Sequence, residues 1–172
     1  ALVPGQPKVL DLYFGRATSV AQTAVAGRAA QVWSEYTGVW HLNTPTATTE
    51  ADSSSGGYPA SVSGGLAGAG KVSGGLRFVW AGTQTAKIPR LATKLAGTAF
   101  TIEAWIKPTE YLAATPIVNS FDPKTNRGVD LMLSNVNSAF ALRLKVGDGS
   151  VTSTVSSSAL FLRHVWTHVA AV

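Results

Sequence analysis

The chain has 172 residues and a mass of 17.9 kDa, a length that fits one soluble domain with an appendage. Of its residues, 45% are hydrophobic and only 13% are charged, which argues against long charged helices. It has no cysteine, which excludes a disulfide framework, a thiol nucleophile and cysteine-ligated zinc. No apolar stretch is long enough to cross a bilayer, so we expect no membrane insertion and an export signal that has already been removed. The net charge of +5 arises from 14 scattered bases and few acids, so we expect no nucleic-acid partner; a basic face for anionic polymers is the less favoured alternative.

Short apolar runs separated by Gly, Pro, Asn, Asp and Ser extend along most of the chain. This spacing predicts an all-β fold, an antiparallel sandwich of about nine strands. The predicted strands, in chain order, are Val9–Phe14, Gly38–Leu42, Gly75–Trp80, Phe100–Lys107, Pro116–Phe121, Val129–Ser134, Phe140–Val146, Val151–Ser156 and Val165–Val172.

Two of these strands have a regular alternation of apolar and polar residues. In Phe100–Lys107 the apolar side chains occupy every second position, and Pro108 ends the run. Phe140–Val146 repeats the pattern and is followed by Gly147–Gly149, whose Gly-Asp-Gly sequence favours a hairpin turn because these residues tolerate positive φ.

Two stretches lack a strand pattern. Ser19–Tyr36 is rich in alanine and could be a short helix, but Gly27 lies in its middle, so a covering linker is an equal alternative. Asn43–Gly70 is rich in Thr, Ser and Gly, which predicts surface loops around one weak strand near Tyr58–Val62.

Several motifs resemble catalytic or metal-binding patterns and are better explained structurally. Gly65–Val72 is close to a phosphate-binding loop, but Val72 stands where a magnesium-binding Ser or Thr is needed, so we expect a glycine-rich connection between strands. His164 and His168 are four residues apart in a predicted strand, which separates them by about 13 Å, too far to share a metal. His41 is not expected to act as a catalytic base, because the sequence has no Gly-x-Ser-x-Gly motif that would supply a nucleophile.

The acidic and aromatic residues indicate recognition rather than catalysis. The nine acids do not alternate along one strand, as the carboxylates of β-sandwich glycanases do, so we expect no enzyme. Of the five tryptophans, Trp40 and Trp166 are expected in the core. Trp80 and Tyr58 lie beside glycine-rich loops, where burial and exposure are equally favoured.

Five segments, read in order, resemble the motifs of a laminin-G-like, concanavalin A-like lectin domain of bacterial exported proteins: Gly38–Asn43, Asp52–Gly57, Gly70–Phe78, Phe100–Pro108 and Trp166–Val172. The resemblance implies an antiparallel two-sheet jelly-roll sandwich. It also implies binding of carbohydrate or of cell-surface and envelope partners, in an extracellular or periplasmic location. His168 is then part of a strand motif of the family.

The resemblance also divides the chain into domains. Lys8–Gly15 resembles the closing strand of a β-domain of unknown function that precedes such jelly rolls. Residues 1–36 are therefore expected to be this closing strand plus a linker, and residues 37–172 the jelly roll. Because the family normally continues into a further hairpin, the jelly roll is expected to be truncated, with its last strand covered by that hairpin, by Val9–Phe14 or by another chain.

The function expected from these observations is that of a non-catalytic recognition module. The alternatives are a structural spacer or assembly domain and, less favoured, a β-sandwich glycoside hydrolase. Asp52, in a Ser/Gly-rich turn that the family uses to gather oxygen ligands, is the candidate ligand of a Ca2+ ion, although Val79–Gly82 replaces the acid that usually follows Phe78. Turn positions supply the candidate ligand-binding residues: Tyr58, Trp80, Asn119, Asn126 and Asn135.

Overall fold

The computed structural model describes residues 31–44, 48–79, 84–89, 99–110 and 114–172. No helix within these ranges has the length and hydropathy needed to span a membrane. The described residues form eleven strands: β1 (Thr49–Glu50), β2 (Ala60–Ser63), β3 (Leu66–Ala69), β4 (Gly74–Arg77), β5 (Thr85–Lys87), β6 (Ile102–Ile106), β7 (Ala114–Asn119), β8 (Arg127–Val136), β9 (Ala139–Asp148), β10 (Thr152–Phe161) and β11 (Thr167–Ala171).

All the described strand pairs are antiparallel, which confirms the predicted all-β class. One sheet has four strands in the order β10-β9-β8-β7, and a second has three in the order β1-β2-β5. Two further pairs are β11-β6 and β3-β4. The ladders of the described residues form four hydrogen-bonded groups, which is consistent with the predicted antiparallel β-sandwich.

The centre of the fold is the long hairpin of β8 and β9. Its register is unbroken from Arg127 opposite Asp148 to Val136 opposite Ala139. Alternate residues of β8 project to one face, where Leu131 is fully buried against its neighbours. Val129, Leu133 and Phe140 are buried on the same face as Leu131, and Ala141 is buried on the opposite face of the hairpin. In other strands, Ala60 and Val169 are at most 5% exposed.

The four-stranded sheet packs face to face with the β6–β11 pair. Leu142 and Leu144 of β9, the exposed Val155 of β10 and Ala171 of β11 line an open groove of about 210 Å³ where the two sheets meet. On β6 and β11 the residues alternate between this interior and solvent, as shown by Val169 and Ala171, which are buried while the intervening Ala170 is exposed. These two sheets thus form a sandwich in which each has an inner face and an outer face.

The predicted hairpin turn after β9 is confirmed. Gly149 has a φ of +101°, and the carboxylate of Asp148 accepts hydrogen bonds from the N–H groups of Ser150 (2.7 Å) and Val151 (2.8 Å). The Asp side chain therefore satisfies backbone donors that the tight turn leaves without a ladder partner. β10 continues beyond the predicted Ser156 to Phe161 through an irregularity in its pairing with β9.

Two sequence predictions are wrong in the described residues. Gly38–Leu42 is not a strand, because its backbone bonds to a neighbouring loop instead of a ladder: Ser53 donates its N–H to the carbonyl of Val39. The glycine-rich run expected to be a connection contains β3, whose Gly68 pairs with Gly75 of β4. Small residues on both strands made this hairpin hard to distinguish from a loop.

Several further predictions concern segments that lie partly or wholly outside the described residues. Gln31 and Val32, near the end of the alanine-rich stretch, are helical and lead into a turn. The predicted strand Val9–Phe14, and nearly all of the proposed closing strand and linker over residues 1–36, lie outside the described residues. The short strands β1 and β5 were not predicted.

Candidate functional site

Asp52 lies at the centre of a junction between two loops. Its Oδ1 accepts hydrogen bonds from the backbone N–H groups of Val39 and Ser54, and its Oδ2 accepts one from the N–H of Tyr58, all at 2.9 Å. Trp40, expected in the core, is half-buried here and donates its Nε1–H to the Tyr58 carbonyl at 2.8 Å. We call these five residues the Asp52 junction; it holds residues 39 and 40 against residues 52–58.

The electrostatics of the junction favour the charged carboxylate. Partial burial raises the pKa of Asp52, but the backbone N–H groups of Tyr58, Val39 and Ser54 outweigh it, so the pKa lies below its ordinary value. Calcium requires six to eight oxygen ligands, many of them carbonyls, whereas the groups that converge on this carboxylate are N–H donors. The arrangement does not fit a calcium ion, and it gives Asp52 a structural role that needs none.

The other residues predicted to bind ligand lie, where they are described, in separate elements of the fold. Tyr58 is half-buried in the Asp52 junction, and Trp80 lies outside the described residues. Asn119 ends β7 and Asn126 lies in the turn before β8, with a φ of +52° and its carbonyl bonded to the N–H of Gly149. Asn135 is nine residues beyond Asn126, roughly 30 Å along the strand. These positions remain predictions without a shared geometry.

The outer face of the β6–β11 pair carries an aromatic and charged cluster that the sequence did not single out. Trp105 of β6 is 48% exposed and lies directly opposite His168 of β11, with 5.2 Å between the ring centres. The Nζ of Lys71 lies 5.4 Å from the centre of the Trp105 ring. Glu103 and the 41%-exposed Tyr36 complete this surface, which we call the aromatic platform.

The polar groups of the platform hold one another in place. Tyr36 donates its hydroxyl to Oε1 of Glu103 at 3.0 Å, and Oε2 of the same carboxylate lies 3.6 Å from Nε2 of His168. The hydrogen bond to Glu103, followed by the charge of that carboxylate and a small contribution from burial, raises the pKa of Tyr36. Trp33 packs edge-on against Tyr36 from behind, with 5.4 Å between the ring centres.

The sequence pattern placed Trp105 on the polar side of its strand, but Trp105 was not selected from the sequence as a binding residue. The alternation of Phe100–Lys107 correctly places Trp105 on the polar side, with Glu103. A tryptophan on the polar side of an amphipathic strand does not fill the core, so Trp105 is a candidate contact residue. Within the described ranges, no group of three or more His, Cys, Asp or Glu side chains could hold a metal ion.

Comparison with known proteins identifies one related family. The laminin-G-type family profile described as the concanavalin A-like lectin/glucanases superfamily matches residues 81–172, more than half of the chain. Among curated proteins and among solved structures, no significant match was found. The matched range includes β6 and β11, which carry three of the five platform residues.

Proposed function

The chain belongs to the concanavalin A-like lectin/glucanases superfamily, and on this basis we propose that it is a non-catalytic recognition module that binds carbohydrate through the aromatic platform. Its proposed setting is the surface or envelope of a bacterial cell, in an extracellular or periplasmic location. The alternative partner is a cell-surface or envelope protein that uses the same exposed ring.

The observation that carries the proposal is the exposure of Trp105 between polar groups that are already oriented. The half-exposed indole ring is flat and apolar, so the C–H face of a sugar ring can stack on it if the sugar displaces the Lys71 ammonium that lies over the ring. Around it, the side chains of Glu103, His168 and Lys71 offer acceptors and donors for ring hydroxyls. The pairing with Tyr36 fixes the carboxylate before a ligand arrives, which reduces the entropy cost of binding.

The composition of the platform supports binding without hydrolysis. Glycoside hydrolysis in most families needs two carboxyl groups about 5–9.5 Å apart, and Glu103 is the one carboxylate among the five platform residues. Its oxygens are engaged by Tyr36 and His168. A purely structural spacer would not need an exposed ring with oriented polar neighbours, whereas an assembly domain could use the same ring as a protein contact.

The test is a glycan-array screen of the chain followed by titration calorimetry with the best ligands. We expect Trp105→Ala to weaken binding by roughly tenfold or more, since the stacking surface is lost. Val151→Ala, which truncates a 63%-exposed side chain on a different surface, is the matched control and should bind like the parent chain. If no glycan binds, or if Trp105→Ala binds as tightly as the control, carbohydrate binding through the platform is excluded.

A further inference from the structure

The face of the four-stranded sheet that is the reverse of the Leu131 face carries a group of charged residues, in which Arg143 and Lys145 are half-buried and Asp130 is buried. In the β8–β9 register Asp130 lies opposite Lys145, and Met132 lies opposite Arg143. Directly opposite residues share a face, and this face is the reverse of the one that carries Leu131. We call Asp130, Met132, Arg143 and Lys145 the charged sheet face.

Both cationic side chains of β9 extend across β8. A guanidinium N–H of Arg143 donates to the sulfur of Met132, and the Nζ of Lys145 lies 3.8 Å from the centre of the Phe121 ring, beyond the end of β7. A thioether sulfur is a weak acceptor, and an aromatic ring attracts a cation less strongly than an anion does. Each of these two positive charges therefore has a contact with a partner that attracts it less strongly than an anion would.

Beneath these side chains lie polar atoms that have no partner. Asp130 is only 7% exposed, and its Oδ1 has no hydrogen-bond partner among the described residues. The same holds for the Nε of Arg143. Buried polar atoms are nearly always satisfied in folded proteins, so this face lacks both an acceptor for the guanidinium and a donor for the carboxylate.

The neighbouring strands surround the charged residues with hydroxyl and amide groups. Thr154 and Ser156 of β10 lie opposite Lys145 and Arg143 respectively, and both are exposed. Asn119 of β7 lies opposite Asp130 on the other side. A ligand on this face would therefore meet two cations at the centre and groups suited to alcohol hydroxyls at both edges.

We propose that the charged sheet face binds an acidic sugar unit, that is, a sugar carrying a carboxylate or sulfate beside its hydroxyl groups. The anionic group accepts hydrogen bonds from the terminal nitrogens of Arg143 and Lys145, and sugar hydroxyls bond to the exposed hydroxyl groups of Thr154 and Ser156. The inference rests on the proposed function for the carbohydrate class of the ligand. It adds a second site, which shares no residue with the platform and selects for charge.

The test compares three ligands by titration calorimetry with the whole chain: oligogalacturonate, sulfated galactose oligosaccharide and neutral galactose oligosaccharide. We expect one or both acidic ligands to bind at least tenfold more tightly than the neutral one, and the tighter of them identifies carboxylate or sulfate as the preferred group. Arg143→Gln and Lys145→Gln should each remove at least tenfold of that preference. Lys87→Gln, which removes one exposed strand lysine from another sheet, should leave it within twofold.

The variants also separate a specific site from general attraction to a basic protein. If Lys87→Gln weakens acidic ligands as much as Arg143→Gln does, the net charge of +5 explains the binding and the proposal is overturned. Far-ultraviolet circular dichroism shows whether each variant is folded, and the conservative Arg143→Lys provides a second readout at the same position.

A Trp105→Ala arm distinguishes this proposal from the platform proposal. If the charged sheet face is a separate site, Trp105→Ala should retain the preference for acidic ligands. Platform binding of neutral glycans without any acidic preference would overturn the second site alone. An absence of binding by every oligosaccharide, in the titrations and in the array, would overturn both.

Discussion

Replacing Asp52 by Asn tests whether the Asp52 junction holds its two loops together. The substitution keeps the shape of the side chain but removes its charge and turns one acceptor oxygen into an NH2 donor. Two of the three backbone N–H groups would then bond to a neutral oxygen, and the third would face another donor. With the oxygen retained at Oδ1, the donor left facing the new amide is the N–H of Tyr58.

The size of the effect follows from these three bonds. A hydrogen bond to a charged group contributes about 1.5–3 kcal/mol and a neutral one about 0.5–1.5 kcal/mol. Weakening two bonds and losing the third, with a reduction for the partial exposure of the side chain, gives a loss of about 2–3 kcal/mol in the free energy of unfolding. For a chain of this size that corresponds to a fall of roughly 4–12 °C in Tm.

Urea unfolding followed by tryptophan fluorescence measures this loss, with the slope of the transition used to check that the folded state is unchanged. The matched control is Asp122→Asn, which makes the same chemical change in an exposed turn where the carboxylate accepts bonds from the N–H of Lys124 and the hydroxyl of Thr125. We expect the control to be clearly less destabilising. Equal effects of the two substitutions would refute the role given to the junction.

The pH dependence provides an independent check on the same residue. Because the pKa of Asp52 is lower in the folded chain than the ordinary value of about 3.9, its ionisation stabilises the fold above that value. This contribution is lost as the pH falls through the lowered pKa. The difference in unfolding free energy between the parent chain and Asp52→Asn should therefore be constant near neutral pH and shrink below about pH 4.

Since N–H donors surround the carboxylate of the Asp52 junction, Tm should be the same in excess calcium and in excess chelator. A higher Tm in calcium would support calcium binding by Asp52. Tyr36 should ionise above its ordinary pKa in an absorbance titration, and a Phe variant should remove that late-titrating component; ionisation at the ordinary value would contradict its bond to the platform carboxylate. Gly128→Ala should destabilise by about 3 kcal/mol or more, since φ is +111° and the added Cβ would lie 2.3 Å from the Ser120 carbonyl oxygen, whereas Gly57→Ala, at φ +69° with open space, should cost only about 1 kcal/mol; similar losses would refute the role of the close approach.

The strands that the sequence predicted are those in which apolar and polar residues alternate regularly and the apolar face is buried. β6 lies within Phe100–Lys107, and β9 contains Phe140–Val146, because a period of two leaves one register that buries the apolar side chains. The turn after β9 was predictable from local chemistry alone, since Gly149 tolerates its positive φ at little cost. These features depend on neighbouring residues, which a single sequence displays directly.

The incorrect predictions concern segments in which no alternation of side chains reveals the bonding partner. Gly38–Leu42 has the apolar composition of a strand, but the Asp52 carboxylate and the Ser53 N–H take up the backbone groups of Val39. In β3, small residues gave no alternation to detect, and pairing with Gly75 supplies what the side chains do not. In both cases the decisive hydrogen bonds join residues that no local pattern relates.

The candidate sites show a different limit, which lies in how a polar strand face is interpreted. The alternation assigned Trp105, Arg143 and Lys145 to the polar sides of their strands, and the structure agrees with that assignment for β6 and for the β8–β9 register. A polar face is ordinarily a solvated surface, but a solvated surface needs neither an indole nor cations bonded to sulfur and to an aromatic ring. Trp105 leaves apolar area exposed, and Arg143 and Lys145 contact only weak partners, which is why we propose a ligand for each face. If the binding tests succeed, the identities of the residues on the polar side of a strand, and not only their polarity, are the signal by which such sites can be recognised in a sequence.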